Sequence, residues 1–203
     1  MPGPTPQEVR AVVAAVVHDM LGGGGGDAAA AAEHAERAGR RTLSDIALGA
    51  DHGGFHLKQR IAADLRDRGF AVHDCGTQNT EPVDYPDIAH AVARKVADGS
   101  CQAGILVDGA GIGSAITANK VPGVRAATCW DVSSAENSRE HNHANVLALG
   151  AGLVGENLAL QIVAAWLSTE WGGGRHARRA GMIDAVERRY ALAQPAAQEK
   201  GLA

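Results

Sequence analysis

The sequence has 203 residues, of which 45% are hydrophobic and 3% aromatic, so it is long enough to form one domain around an aliphatic core. Its formal net charge is -4 and the acidic and basic residues are interspersed, which argues against a nucleic-acid partner. The three cysteines are widely spaced and form no C-x-x-C pair, which argues against a disulfide framework or a zinc knuckle and favours the reducing cytosol.

The first predicted element, over residues 1 to 21, is an amphipathic helix that opens with the capping box Thr5-Pro6-Gln7-Glu8. Apolar residues then recur at helical spacing on one face: Val9, Val12, Val13, Val16, Val17, Met20 and Leu21. Five glycines from Gly22 to Gly26 end this helix, and the alanine-rich, charged stretch after them predicts a flexible linker up to residue 44. No apolar run is long enough to span a bilayer and the N-terminus lacks a secretory hydrophobic segment, so we expect a cytoplasmic protein that does not bind membranes.

From Leu43 onward, short β-type runs alternate with amphipathic helical patterns, which is typical of a parallel sheet wound with helices. The predicted strands are Ile46 to Ala50, Ala71 to Cys75, Gly104 to Val107, Val124 to Thr128 and Val146 to Leu149. We therefore predict a three-layer, Rossmann-like α/β fold with a five-stranded parallel sheet over residues 45 to 190, followed by a C-terminal tail over residues 191 to 203.

Polar and glycine-rich segments stand beside these predicted elements. They read DHGGF from Asp51, DYPD from Asp84, DGAGIGSAITANKVPGVRAA from Asp108, REHNHANVLALG from Arg139 and GGRHARR from Gly173. In open α/β sheets, ligands bind beyond the carboxyl ends of the strands. We therefore expect all five segments to face one crevice.

This ordered set of motifs resembles the family of type B ribose-5-phosphate isomerases and the related galactose-6-phosphate isomerase subunits, over roughly Asp45 to Arg189. The resemblance implies an aldose-ketose isomerase that opens a phosphorylated sugar ring and works through an enediolate, with ribose 5-phosphate to ribulose 5-phosphate as the default reaction. It implies no metal or organic cofactor, and a homodimer or homotetramer with a pocket shared between two subunits. Two alternatives stay open: isomerisation of a hexose or deoxy sugar phosphate, and a non-catalytic sugar-phosphate-binding protein.

Asp108 occupies the position where many family members carry a cysteine base, so we expect it to be the general base. An aspartate at a strand-to-helix turn also commonly caps the helix, and this interpretation stays open. By resemblance, the loop of Gly109, Gly111 and Gly113 stabilises the enediolate and His141 opens the sugar ring. A dinucleotide-binding loop is a weaker interpretation, because the spacing is G-x-G-x-G and no acidic residue follows at the expected distance.

Further positions match residues that contact the sugar or its phosphate in the family: Asp51, His52, Tyr85, Asn119 and Asn142. Arg175 and Arg179 match the phosphate-binding pair and stand four apart on a predicted helix, so both guanidinium groups would share one face. A solvated basic patch is the alternative for this pair. The closely spaced histidines of the chain lack a carboxylate that would complete a metal site, so we expect no metal.

Three other positions depart from the family pattern. Ala110 replaces a threonine or serine, Ser114 stands where some members place a glutamate base, and Gly152 replaces an arginine. The loss of the arginine removes a phosphate-binding cation. Because a hydrogen bond to a charged group contributes roughly 1.5 to 3 kcal/mol, we expect a change in affinity or in substrate choice.

The N-terminal helix lies outside the usual family boundary, and with its glycine linker it resembles the encapsulation peptides that direct enzymes into bacterial microcompartments. The resemblance implies a shell-protein partner for residues 1 to 21 and a location inside a microcompartment. A helix of about 16 residues is marginal alone in water, so we expect it to order against a partner surface. Packing on its own catalytic domain, or a role in oligomerisation, is the alternative.

Overall fold

The computed structural model describes residues 43 to 193, in which strands and helices alternate. The strands are β1 (Asp45–Ala50), β2 (Ala71–Asp74), β3 (Ala103–Asp108), β4 (Ala126–Thr128) and β5 (Val146–Gly150). The helices are α1 (Phe55–Asp67), α2 (Tyr85–Ala97), α3 (Ile112–Ala118), α4 (Val132–Asn142), α5 (Glu156–Ser168) and α6 (Gly174–Ala193). Each predicted strand is present. The predicted N-terminal helix, nearly all of the linker and most of the C-terminal tail lie outside the described residues.

The five strands form one parallel sheet in the order β2-β1-β3-β5-β4. Helices α1, α4 and α5 contribute to the core on one face, and α2 and α3 contribute to the core on the other. The predicted three-layer α/β fold with a five-stranded parallel sheet is therefore confirmed for this part of the chain. None of the described helices is both long enough and apolar enough to cross a membrane.

The central strands are apolar at nearly every position because helices cover both of their faces. In β3, Ile105 and Val107 pack into the core on one face, while Leu106 packs into the core on the other. Gly104 in the same strand lets α2 approach closely, since a Cβ at this position would lie 2.7 Å from Val92. This packing fixes the strand ends from which the polar loops leave.

The two ends of the parallel sheet carry different parts of the chain, since every strand starts at the amino end and finishes at the carboxyl end. Helix α4 leaves the carboxyl end after β4, and its 11 residues carry the chain about 16 Å back to the amino end. There the side chain of Asn145 accepts a hydrogen bond from the Arg125 N–H (2.7 Å) just before β4. Helix α6 crosses the same end, because Asp184 pairs with Arg125 at 3.0 Å and Glu187 accepts from the Gly123 N–H at 2.9 Å.

Candidate active site

Asp108 is the last residue of β3 and is only 5% exposed. Its carboxylate accepts hydrogen bonds from the backbone N–H groups of Ala110 (2.8 Å) and Ser114 (3.0 Å), and from that of Gly111. These bonds close the loop and satisfy donors at the start of α3. The capping role that the sequence left as an alternative is therefore present in the structure.

The same hydrogen bonds decide the charge of Asp108. Burial acts to raise the pKa of this carboxyl group, but hydrogen bonds from Ser114 and from the backbone of Gly111 and Ala110 outweigh it and hold the pKa below its ordinary value. The group is therefore an ionised carboxylate at neutral pH. To act as a base, it would have to use an oxygen that already accepts hydrogen bonds.

Glycine shapes the loop that follows Asp108. Gly111 has a φ of 78°, and a Cβ there would lie 2.9 Å from the backbone of β5, so no other residue fits without strain. The N–H groups of Gly111 and Ser114 already donate hydrogen bonds to the Asp108 carboxylate. The first-turn donors of α3 that remain for an oxyanion are therefore those of Ile112 and Gly113.

Asp51 and His52 follow β1 and lie beside this loop. The Asp51 N–H donates to the Val107 carbonyl (3.2 Å) at the end of β3, and the Asp51 carboxylate accepts from the Gly54 N–H (2.9 Å). The Nδ1 atom of His52 accepts a hydrogen bond from the Val83 N–H at 3.3 Å. A neutral His52 ring therefore carries its proton on Nε2 and has a donor left for a ligand.

Tyr85 begins α2 and packs against the glycine loop, since a Cβ at Gly113 would lie 2.7 Å from the tyrosine ring. Gly109 ties the loop to the segment after β5, because its carbonyl accepts from the Gly152 N–H at 3.0 Å. These residues form one group, here called the carboxyl-end cluster: Asp51, His52, Tyr85, Asp108 and the loop Gly109–Gly113.

His141 lies in the last turn of α4, at the other end of the sheet. Its ring stacks on the ring of His176 from α6, with centroids 4.2 Å apart and planes 8° from parallel. Its Nδ1 atom lies 2.8 Å from the side-chain nitrogen of Asn137, one helical turn earlier. Asn142 is the exposed neighbour of His141.

Arg175 and Arg179 are both exposed in the first turns of α6. The start of this helix is held beside α4, because the Gly172 N–H donates to the Glu140 carbonyl at 3.0 Å. Neither guanidinium group pairs with a carboxylate among residues 43 to 193, so both are available to an anion. We call the following residues the amino-end cluster: Asn137, His141, Asn142, Arg175, His176 and Arg179.

Asn119 stands apart from both clusters. Its side chain accepts from the Ala126 N–H (2.7 Å) and donates to the Ala126 carbonyl (2.9 Å), so it pairs with the outer strand β4 much as another strand would. The structure thus gives Asn119 a structural contact at the amino end of the sheet. Its contact with the sugar stays a prediction.

Within one chain, the two clusters lie at opposite ends of the sheet. β5 has 5 residues, so the ends are separated by roughly 16 Å. The expectation that all five motifs face one crevice is therefore wrong for a single chain. The physical reason is that α4 runs antiparallel to the strands, which moves His141 a full strand length away from Asp108.

Sequence reasoning missed the buried ion pair that fixes the carboxyl-end cluster. Lys58 in α1 is 0% exposed, and its Nζ atom lies 2.7 Å from one carboxylate oxygen of Asp74 and 2.7 Å from the Thr77 carbonyl. The Thr77 N–H donates in turn to the Ala50 carbonyl, the last of β1. The pair thus holds the segment after β2 against the strand end that leads into Asp51. No sequence motif predicts this pair.

Sequence reasoning also passed over Asn137 and His176, which contact His141 from two sides. One signal was available for Asn137, because residues four apart on a helix are neighbours on its surface. His176 lies inside the GGRHARR motif, but its stacking depends on where α6 packs, and that was not predictable from spacing.

The model of the ribose/galactose isomerase family matches residues 46–183 of the chain. The ribose-5-phosphate isomerase B of Escherichia coli (strain K12) is 48% identical over 147 residues, which cover 72% of this chain and 99% of that protein. The chain belongs to the ribose/galactose isomerase family. The D-erythrulose-4-phosphate isomerase of Pectobacterium atrosepticum is 44% identical over 144 residues, covering 70% of this chain and 94% of that protein.

A solved structure, the ribose-5-phosphate isomerase B of Clostridium thermocellum, superposes with a TM-score of 0.71 at 52% identity, covering 72% of this chain and 99% of that one. As a member of the ribose/galactose isomerase family, the chain is an enzyme, an aldose-ketose isomerase of sugar phosphates. The family match runs from β1 into α6, so both clusters lie inside it.

Proposed function

We propose that this isomerase interconverts ribose 5-phosphate and ribulose 5-phosphate in a pocket built from two copies of the chain. The observation that carries the proposal is the placement of complementary groups at opposite ends of the sheet. The carboxyl-end cluster holds the Asp108 carboxylate and loop N–H donors, and the amino-end cluster holds His141 and two arginines that pair with no carboxylate among residues 43 to 193. Neither set is sufficient for the reaction alone.

A second copy would meet the first through exposed apolar surface. Helix α6 carries an apolar stripe of Met182, Ile183, Val186 and Tyr190, each between 49% and 68% exposed. Such a stripe is more favourably buried than left in water, and it lies on the helix that also carries Arg175 and Arg179. Burying this stripe in a symmetric dimer would bring the amino-end cluster of one copy close to its partner.

The first step in this pocket is the opening of the furanose ring. His141 donates a hydrogen bond from Nε2 to the ring oxygen and stabilises the charge that develops there as the bond from that oxygen to C1 breaks. The hydroxyl proton on O1 passes through solvent to the ring oxygen, which gives the aldehyde and a free hydroxyl. His52 and Asp51, on the other copy, would contact the sugar hydroxyls.

The second step moves a proton between carbons. Asp108 takes the proton from C2, and the electron pair left behind forms the C1–C2 double bond of the enediolate, whose negative charge on O1 is stabilised by N–H groups of the glycine loop. Asp108 then returns the proton to C1 while the O2 proton passes to O1, which gives the ketose. The carboxylate is ionised, as this role requires, although its lowered pKa makes it a weaker base than an ordinary aspartate.

Arg175 and Arg179 would bind the phosphate dianion, since both are exposed and neither pairs with a carboxylate within the described part of the chain. Gly152, where the family usually has an arginine, supplies no cation here. A Cβ at Gly152 would lie 3.0 Å from the Gly109 carbonyl oxygen, so this position packs tightly against the loop.

The test is a coupled assay of the purified chain with ribose 5-phosphate, allose 6-phosphate, galactose 6-phosphate and erythrulose 4-phosphate, without added metal. We expect the highest kcat/KM with ribose 5-phosphate. A higher kcat/KM with a hexose phosphate would move the assignment to that substrate, and absence of turnover with ribose 5-phosphate would contradict it.

We also propose that residues 1 to 21 direct the enzyme to a shell protein of a bacterial microcompartment. The support is the sequence pattern alone: a valine-rich helical face followed by five glycines. A fluorescent protein carrying residues 1 to 26 should collect in microcompartments, whereas diffuse fluorescence would contradict this role.

A further inference from the structure

We propose that Asn137 is a positioning residue that holds the neutral ring of His141 with its proton on Nε2. The Asn137 side-chain nitrogen lies 2.8 Å from His141 Nδ1. An amide nitrogen is a donor only, so Nδ1 has to be the acceptor in this contact. The proton of the neutral imidazole is then on Nε2, and this nitrogen is left as the donor that a ligand meets.

The rest of the surroundings fix the plane of the same ring. His176 stacks on one face of His141 at 4.2 Å with the planes 8° from parallel, which restricts rotation of the side chain. The Glu140 carboxylate lies 3.8 Å from Nε2, too far for a hydrogen bond, so this nitrogen stays open. Asn137 and His176 therefore set the tautomer and the orientation of His141 from two different directions.

This inference rests on the proposed role of His141 in ring opening. A donor on Nε2 is the form that hydrogen-bonds to the ring oxygen and stabilises the negative charge that develops there as the furanose opens. The opposite tautomer would present a lone pair to that oxygen. Asn137 would therefore act on the ring-opening step and leave the transfer of the carbon-bound proton to the carboxyl-end cluster.

Replacing Asn137 by leucine keeps the side-chain size and removes the donor. We expect the kcat/KM of N137L for ribose 5-phosphate, which is a ring, to fall by at least about tenfold, since the loss of one donor to a developing oxyanion costs about 100- to 1000-fold and N137L only removes the preference for that donor. Deuterium uptake at C1 of ribulose 5-phosphate, which has an open chain, should stay within about twofold of the parent because it needs only the base.

The matched control is E136L, an exposed neighbour on the same helix, which should change neither rate. A parallel fall of both rates in N137L would indicate general damage to the pocket and overturn the inference, as would two unchanged rates. If the parent itself fails to turn over ribose 5-phosphate, the proposed function fails, and the tautomer is then tested by spectroscopy alone.

Nitrogen-15 NMR of the imidazole rings gives that second readout without any substrate. In the parent, the His141 signals should report a protonated Nε2 and an unprotonated Nδ1, and in N137L they should move toward a mixture of tautomers. N137D places an acceptor at the same site and should move the proton to Nδ1. Identical His141 signals in the parent, N137L and N137D would overturn the inference whatever the activity.

Discussion

The two ends of the sheet carry their functional groups in different ways. At the carboxyl end, the groups stand on strand ends and are held by backbone bonds and by a buried ion pair between Lys58 and Asp74. At the amino end, they stand on the outer surfaces of α4 and α6, where exposed side chains hold one another. The carboxyl end is therefore organised within one chain, whereas the groups at the amino end lie on the surface, where the proposed second copy would cover them.

The largest expected effect comes from the carboxylate that both caps α3 and serves as the proposed base. Asparagine at position 108 keeps an oxygen for the backbone donors but is unable to take a proton. We expect D108N to lower kcat by roughly 1000-fold, within the range typical of general base catalysis, with an unchanged circular dichroism spectrum. Full activity in D108N would leave Asp108 with the capping role alone.

The D108C variant tests the same proposed base through the pH dependence of its activity. An ordinary thiol has a pKa of about 8.5, whereas the Asp108 carboxyl group, with its pKa held below the ordinary value, is already ionised at neutral pH. The ratio of kcat/KM in D108C to that in the parent should therefore rise by up to tenfold per pH unit between about pH 6 and pH 8. A ratio independent of pH would contradict proton transfer at this position.

The two ends should also differ in how much stability their ion pairs contribute. Methionine at position 58 leaves the Asp74 carboxylate without its buried partner, so we expect K58M to lower the free energy of unfolding by roughly 3 kcal/mol. D184N removes the more exposed Arg125 pair at the amino end and should cost less than about 1 kcal/mol. Urea unfolding of both variants measures the difference, and equal losses would contradict the contrast between the two ends.

At the amino end, the proposed phosphate contact predicts an effect on substrate binding without an effect on the fold. R179M should raise KM for ribose 5-phosphate by about tenfold or more, because a charge-assisted hydrogen bond to the phosphate is lost. R178M is the matched control, since Arg178 is an exposed neighbour whose side chain contacts Met182. Similar KM values for R178M and R179M would indicate a solvated basic patch.

A further expected effect concerns His143, which ends α4 in the left-handed region with φ 51°. Burial and the nearby Arg125 and Arg139 lower the pKa of His143 from 6.5 to about 4. Between these values the unfolded chain binds a proton that the folded chain does not, so stability should fall as the pH drops from about 6.5 to about 4. Asparagine also adopts the left-handed backbone conformation, and its side chain does not titrate. The urea concentration at the midpoint of unfolding should therefore fall less between pH 7 and pH 5 for H143N than for the parent. An equal fall in both proteins would assign the pH dependence to other groups.

The strands and the glycine loop were predictable because the information is local. Apolar runs such as Ile46 to Ala50 mark a strand buried on both faces, and the polar and glycine-rich residues after it mark the loop. The prediction that His141 faces the same crevice as Asp108 was wrong for a single chain, because a motif shows which residues matter and not at which end of the sheet they lie. The pairing of Lys58 with Asp74 links residues of different elements, and the sequence carries no local signal for it.

The capping role of Asp108 shows a different limit. The sequence pattern allowed a base and a cap at the same residue, and choosing between them required the positions of the Ala110 and Ser114 N–H groups. Asn119 is a similar case, because its side chain forms two hydrogen bonds with the backbone of Ala126 in β4. The fold is therefore needed to decide whether a polar residue in a motif binds a ligand or stabilises the structure.

Each proposed pocket takes Asp108 from one copy and His141 from another, and mixing two inactive variants tests this arrangement most directly. In a random mixture of D108N and H141N, half of the dimers contain one of each, and one of their two pockets keeps both native residues. After exchange of subunits, we predict recovery of about a quarter of the parental activity, and no recovery when D108N is mixed with H52N, whose defect lies at the same end of the sheet. Lack of recovery with H141N, or equal recovery with H52N, would contradict a pocket shared in this way.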